Sequence, residues 1–187
     1  MEARKVLNKL NERIEPAHIL VVVLVIFAVL SRWLPHPANF TPIAGIAIFG
    51  GSLLPKRWAL SLPLIAMIIS DLIIGLHPLF MYTWGSFVLM AWFSHRYLKN
   101  PTAFKVVGAS LGASILFYVV TNFAVWAEGR MYPMTFAGLL NSYYMALPFF
   151  RNTLLGDLFY SSALFGAFAL VKNHFWQKAM PSSKLGV

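Results

Sequence analysis

The chain contains no cysteine, which excludes disulfides, thiol catalysis and thiolate metal sites. Acids are also scarce: six Asp and Glu stand against 15 Lys and Arg in 187 residues. Charged residues make up 11% of the chain, where a soluble domain carries roughly 25%. Such sparse charge excludes a pore lined by rings of acids. Walker A, HExxH, HxxxH and Rossmann glycine patterns are missing as well. P-loop hydrolysis, dinucleotide binding and a catalytic metal site made by protein alone are therefore not expected. No internal repeat, inverted half, low-complexity tract or linker is visible.

What is present is apolar. Hydrophobic side chains make up 59% of the sequence, and the mean hydropathy is +0.69. The net charge is +9, but the basic residues sit at the ends of apolar runs rather than in a stripe. In that position they read as topology signals and lipid head-group contacts. The expected partner is thus the lipid bilayer, not nucleic acid.

A membrane span needs roughly 20 apolar residues to cross about 30 Å of hydrocarbon. Candidate spans are 18–34, 42–54, 58–75, 80–95, 104–127 and 149–171. The stretch 135–147, TFAGLLNSYYMAL, reads as an extra short helix capped by Thr135 and ended by Pro148. Residues 1–17, MEARKVLNKLNERIEPA, are too charged for the core of a signal peptide. They read as a cytoplasmic amphipathic segment whose helix stops at Pro16. Residues 173–187 read as a cytoplasmic tail, leaving 18–172 as one membrane domain.

The run 42–54 is short for a span, so charge decides its status. If it crosses and the N-terminus is inside, Lys and Arg at 4, 5, 9, 13, 56, 57, 96, 99, 105, 172, 178 and 184 are cytoplasmic. Only Arg32, Arg130 and Arg151 then remain outside. If it does not cross, every later loop changes sides and most basic residues become external. The positive-inside rule selects the first case. The fold class expected is an all-α integral membrane protein with six transmembrane helices, N-in/C-in. Its second helix is short and broken, and an extra short helix precedes the sixth. Segment 35–41, PHPANFT, would complete the short crossing, since its two prolines forbid regular helix. Thr41–Pro42 reads as an N-cap followed by proline at the first helical position. Irregular backbone at membrane depth persists only when buried in protein or lining a wet cavity. A cavity open to the outer side is therefore expected here.

The polar residues fall toward that side. Ionisable groups within spans are costly and point to function. Asp71, Asn122 and Asp157 lie below the outer ends of helices three, five and six. Arg32 lies near the outer end of helix one, Arg151 and Asn152 near that of helix six, and Asn39 and Thr41 at the broken start of helix two. A plainer reading pairs Asp71 and Asp157 with Arg32 and Arg151 as packing contacts. His36 and His77 precede prolines in external connections, where a turn role competes with a ligand or metal contact. Most aromatics suit an interfacial belt, while Trp84 and Tyr144 are placed to meet a ring-bearing ligand. In helix five, Gly108, Ala109, Gly112 and Ala113 form small-xxx-small pairs that permit close helix approach.

The stretches NFTPIAGIAIFGG (39–51), SDLIIGLHP (70–78), TNFAVW (121–126) and LPFFRNTLLGDLFY (147–160) resemble an uncharacterised family of small bacterial membrane proteins. That family is similar to the substrate-binding S components of energy-coupling-factor (ECF) vitamin transporters. The resemblance covers about 18 to 171. It implies six helices, binding of a vitamin or metal ion from the outer side, and delivery by toppling. It further implies a multi-pass protein of the bacterial cytoplasmic (inner) membrane. Many S components carry an AxxxA motif in helix one for docking on energising transporter subunits. Here that helix reads HILVVVLVIFAVLSRWL and has none, so a solitary mode stands beside docking. Some small S-component-like proteins act on cobalamin without a dedicated module, and resemblance to those implies His77 as a cobalt ligand.

The functional expectation is a vitamin-class small-molecule binding and uptake protein, not an enzyme, with no cofactor. Its substrate-binding residues would be Arg32, His36, Asn39, Thr41, Asp71, His77, Trp84, Asn122, Tyr144, Arg151, Asn152 and Asp157. Two rivals remain. One is a membrane enzyme on a lipid-type substrate using Asp71 and Asp157 with a metal. The other is a structural or assembly subunit in which the polar cluster is packing alone.

Overall fold

A computed structural model describes residues 16–179, with side chains from 18 to 172. The expected amphipathic segment and the end of the tail lie outside the described residues. Six α-helices follow one another, and the described residues contain no strand: α1 (Pro16–Trp33), α2 (Ile43–Leu53), α3 (Lys56–Ile74), α4 (Phe80–Tyr97), α5 (Ala103–Ala127) and α6 (Phe136–Ala179). Three stretches, Lys56–Ile74, Ala103–Ala127 and Phe136–Lys172, are long and apolar enough to cross a membrane. The apolar helices α1 and α2 are shorter. Large apolar side chains face outward on most of the bundle, among them Ile19, Ile26, Leu72 and Phe104. A soluble surface rarely carries so much, and the pattern is compatible with a membrane protein.

The bundle is organised around its shortest member. Residues Ile43 to Gly51 of α2 are all buried, and α2 packs against every other helix. Glycines make these approaches possible. A Cβ at Gly51 would stand 2.5 Å from the Ala91 carbonyl oxygen on α4, and one at Gly45 would stand 3.0 Å from the Ser161 nitrogen on α6. By contrast, α1 buries a single stripe, Val21, Leu24, Val25 and Ala28. That i, i+3, i+4, i+7 spacing is one helical face.

Three local expectations need correction. Thr41 does not cap α2. Pro42 takes the cap position, and its carbonyl accepts from the Ile46 N–H at 2.8 Å, without a side-chain cap. Pro148 does not end a separate helix: 135–147 and 149–171 are parts of one α6, with Pro148 inside it. Proline removes the donor to the Tyr144 carbonyl, but apolar surroundings favour keeping every other backbone bond. The Tyr118 hydroxyl on α5 supports this region by donating to the neighbouring Tyr143 carbonyl at 2.6 Å. The N-terminal expectation for that helix does hold, since the Thr135 hydroxyl accepts from the Gly138 N–H at 3.1 Å. Finally, the α5 small residues are used on their alanine side only: Ala113 lies in the core and Ala109 packs against it. A Cβ at Gly108 or Gly112 would meet nothing within 4 Å. The helix also runs on to Ala179, past the expected start of the tail at 173.

The connections divide between two ends. The 34–42 and 75–79 connections share one end with the last turns of α5 and the first half of α6, where Asn39, His77, Asn122 and Phe149 line a common recess. At the opposite end, the Ser52 hydroxyl donates to the Leu98 carbonyl at 2.9 Å.

Candidate functional site

The first of these ends holds a cavity of about 290 Å³ between α1, α2, α3, α4, α5 and α6. Its polar lining comes from Arg32, Asn39, Thr41, His77, Thr83, Thr153 and Asp157. Ile43, Ala44, Met67, Phe87 and Phe117 supply the apolar part. A recess of about 220 Å³ adjoins it, sharing Asn39, His77, Thr83, Phe117 and Thr153 and adding Asn122.

Local backbone explains how several of these groups arrive. Proline-rich 35–41 cannot continue α1. Its turn closes through the Phe40 N–H to the Pro37 carbonyl at 3.0 Å. Asn39 takes the left-handed conformation, φ 63°, which asparagine tolerates better than most side chains. Phe40 then seats against Gly156, where a Cβ would stand 3.2 Å from the Phe40 Cα. It also packs on the Phe159 and Tyr160 rings. The Asn152 amide donates to the Ala38 carbonyl at 3.1 Å, so Asn152 holds the loop from α6 and does not line the cavity. On the other side, Gly75 ends α3 at φ 114°, a conformation open to glycine. It releases the chain toward His77. The Thr83 hydroxyl donates to the Leu79 carbonyl at 2.9 Å. It also lies 3.3 Å from His77 Nε2, a hydrogen bond that fixes the imidazole from α4.

Arg32 donates to Asp71 Oδ1 at 2.6 Å and also to the Ser70 hydroxyl. Trp84 donates its indole N–H to Asp71 Oδ2 at 2.7 Å. Both carboxylate oxygens are therefore engaged, and Asp71 is 1% exposed. This triad joins α1, α3 and α4. Only Arg32 of the three faces the cavity. Asp157 is treated differently. It is 2% exposed, accepts from the Ser114 hydroxyl on α5 at 2.7 Å, and has no ion-pair partner among the described residues.

Of the residues expected from the sequence, Arg32, Asn39, Thr41, His77 and Asp157 meet in the cavity, and Asn122 meets them in the adjoining recess. Asp71 and Trp84 stand behind Arg32. His36 is exposed and donates Nδ1–H to the Leu34 carbonyl at 2.7 Å, a turn contact outside the cavity. Arg151 is exposed, and Tyr144 is 67% exposed. Neither lines the cavity, and Arg151 does not pair with Asp157. Sequence reasoning missed Thr83, Thr153 and Ser114, each a hydroxyl in an apolar helix. It also missed the wall formed by Phe87 and Phe117, whose rings stack with centroids 5.2 Å apart.

Larger recesses occur at the opposite end. One of about 900 Å³ lies along Val106, Phe165 and Phe168, with Lys99 and Lys172 beside them. Another of about 540 Å³ lies between α4 and α5. Both are mainly apolar; Ser52, Asn100, Thr102 and Ser162 also edge the larger one. Among the described residues no set of three or more His, Asp or Glu could hold a metal ion. His77 alone therefore represents the metal expectation. A protein-family model described as a family of unknown function (DUF6580) matches residues 12–181. No curated protein and no solved structure matches the chain.

Proposed function

We propose that this chain, which belongs to the DUF6580 family, is a multi-pass protein of the bacterial cytoplasmic membrane that binds and takes up a vitamin-class small molecule. In this reading six helices cross the bilayer with both ends cytoplasmic, and the cavity opens outward. The single observation that carries it is the lining of that cavity. Seven polar side chains from three helices and two loops converge on one cavity in an otherwise apolar bundle. Pure packing does not require a polar cavity of this size, whereas ligand sites combine apolar walls with a few placed polar groups. The charge count and the resemblance to S components support the same orientation and role.

The volume narrows the ligand. About 290 Å³ lies at the lower end of ligand pockets, roughly 300–1,000 Å³. It suits a molecule of one or two rings and is too small for a corrinoid, so His77 is here a polar wall residue instead of a cobalt ligand. After binding, the 35–41 and 76–80 loops and the 128–135 connection cover the site, and release follows inward, either alone or on energising subunits.

Native mass spectrometry of the protein released from gentle detergent tests this. The expected result is one small molecule per chain, lost on Ala44→Leu, which fills the cavity from α2. A chain that carries nothing, and whose melting temperature ignores a panel of water-soluble vitamins, overturns the proposal.

A further inference from the structure

We infer that the cavity selects a cation, a small molecule carrying a protonated amine or an equivalent single positive charge, with Asp157 as its counter-ion. The inference rests on reading the cavity as a ligand site and adds the charge class of the ligand.

Three groups that can carry charge line this space: Arg32, His77 and Asp157. Arg32 is already neutralised. Its guanidinium lies 2.6 Å from Asp71 Oδ1, and Trp84 occupies the other oxygen of that carboxylate, so the pair is complete without a ligand. His77 already has the Thr83 hydroxyl as the partner of its Nε2. Asp157 receives one neutral donor, Ser114, on Oδ2. No Lys, Arg or His among the described residues reaches it, and Arg151, six residues earlier on α6, is exposed. The result is a carboxylate almost wholly withdrawn from water, open to the cavity and without a positive partner. A lone charge in such a site is costly, and a cation seated beside it offsets that cost. The same charge repels a carboxylate or phosphate ligand.

The aromatic part of the lining fits this assignment. Phe87 is buried, and its ring stacks with that of Phe117 at an interplanar angle of 27°. Aromatic faces attract cations within about 6 Å. The thioether of Met67 and the hydroxyls of Thr41, Thr83 and Thr153 complete a lining that presents oxygen and sulfur lone pairs to a donor-rich group.

The test compares three ligands of nearly one size on the detergent-purified full chain by thermal shift and calorimetry: benzylammonium, benzyl alcohol and benzoate. Benzylammonium is expected to bind about tenfold more tightly than benzyl alcohol, a difference of about 1.4 kcal/mol, and benzoate not at all. Asp157→Asn, which keeps shape and removes charge, is expected to abolish that preference. The rank order is read on the unmodified chain, so misfolding of D157N would not decide the matter. Equal binding of all three, or tighter binding of benzoate, overturns the cation assignment and leaves the ligand cavity standing. No binding by any of them overturns the cation assignment too. The ligand reading itself falls only if native mass spectrometry also finds the chain empty.

Discussion

Asp71 and Asp157 are the only acids within the helices described, and their neighbourhoods divide their roles. Asp71 accepts from Arg32 and Trp84 and serves to lock α1, α3 and α4 together. Breaking a buried ion pair by removing one partner costs about 3–5 kcal/mol. Arg32 is partly exposed, at 16%, which places its loss at the low end of that range. Arg32→Gln is accordingly expected to lower stability by about 3 kcal/mol, and Trp84→Phe by about 1–3 kcal/mol, since it leaves one carboxylate oxygen without a donor. Thermal unfolding checks both. Melting temperatures unchanged by either substitution would show that the triad does not hold the bundle. The acids themselves were legible in the sequence, because a charge in an apolar run stands out. The pairing of Asp71 with Arg32 was legible too, as the plain packing reading. Trp84 and Ser114 as partners were not, because periodicity within a helix carries no information about contacts between helices. Thr83 and Thr153 escaped for another reason: a threonine hydroxyl satisfied by its own helix, as with Thr153 on the Phe149 carbonyl, leaves the same trace as one that also faces a ligand.

The elements differ in how tightly glycine binds them to their neighbours. At Gly51 an added methyl would stand 2.5 Å from a backbone oxygen on α4, which cannot rotate away. Gly51→Ala is therefore expected to push α2 from α4 and to destabilise the protein by about 1–3 kcal/mol or more. Gly108→Ala, in open space, is expected to be neutral or slightly stabilising, since alanine favours helix over glycine by about 1 kcal/mol. Paired unfolding curves check the contrast, and equal effects at the two sites would contradict the packing described for α2. Sequence spacing pointed to the α5 glycines as contact points. Small residues permit close approach without causing it, and only the path of the neighbouring helix settles which glycines are used. Pro148 shows the same limit. Proline rules out a backbone donor, but whether the helix ends or continues past it depends on the surrounding fold, which local sequence does not show.

For the whole molecule, the helices and their order were legible, because long apolar runs broken by Pro, Gly and charged residues announce themselves. The proposed N-in/C-in topology can be tested cleanly, since the chain has no cysteine to remove. Ala38→Cys, in the connection before α2, is expected to react with a membrane-impermeant maleimide on intact cells. Asn100→Cys, in the connection before α5, is expected to react only after permeabilisation. Reversed labelling would invert the bundle and turn the cavity toward the cytoplasm.

The short, fully enclosed α2 also bears on how the chain is made. At 11 residues it is about 16 Å long, too short to be retained on its own hydrophobicity as it leaves the ribosome. Its seat includes Tyr160 and Ser161 beside Gly45, and Gly156 beneath Phe40, residues synthesised more than a hundred positions later. In the proposed topology, assembly would keep a half-committed segment waiting until α6 is inserted. A nascent or truncated chain lacking α6 would leave Phe40 and the Gly45 side of α2 uncovered, giving quality-control proteases a mark by which to recognise unfinished copies.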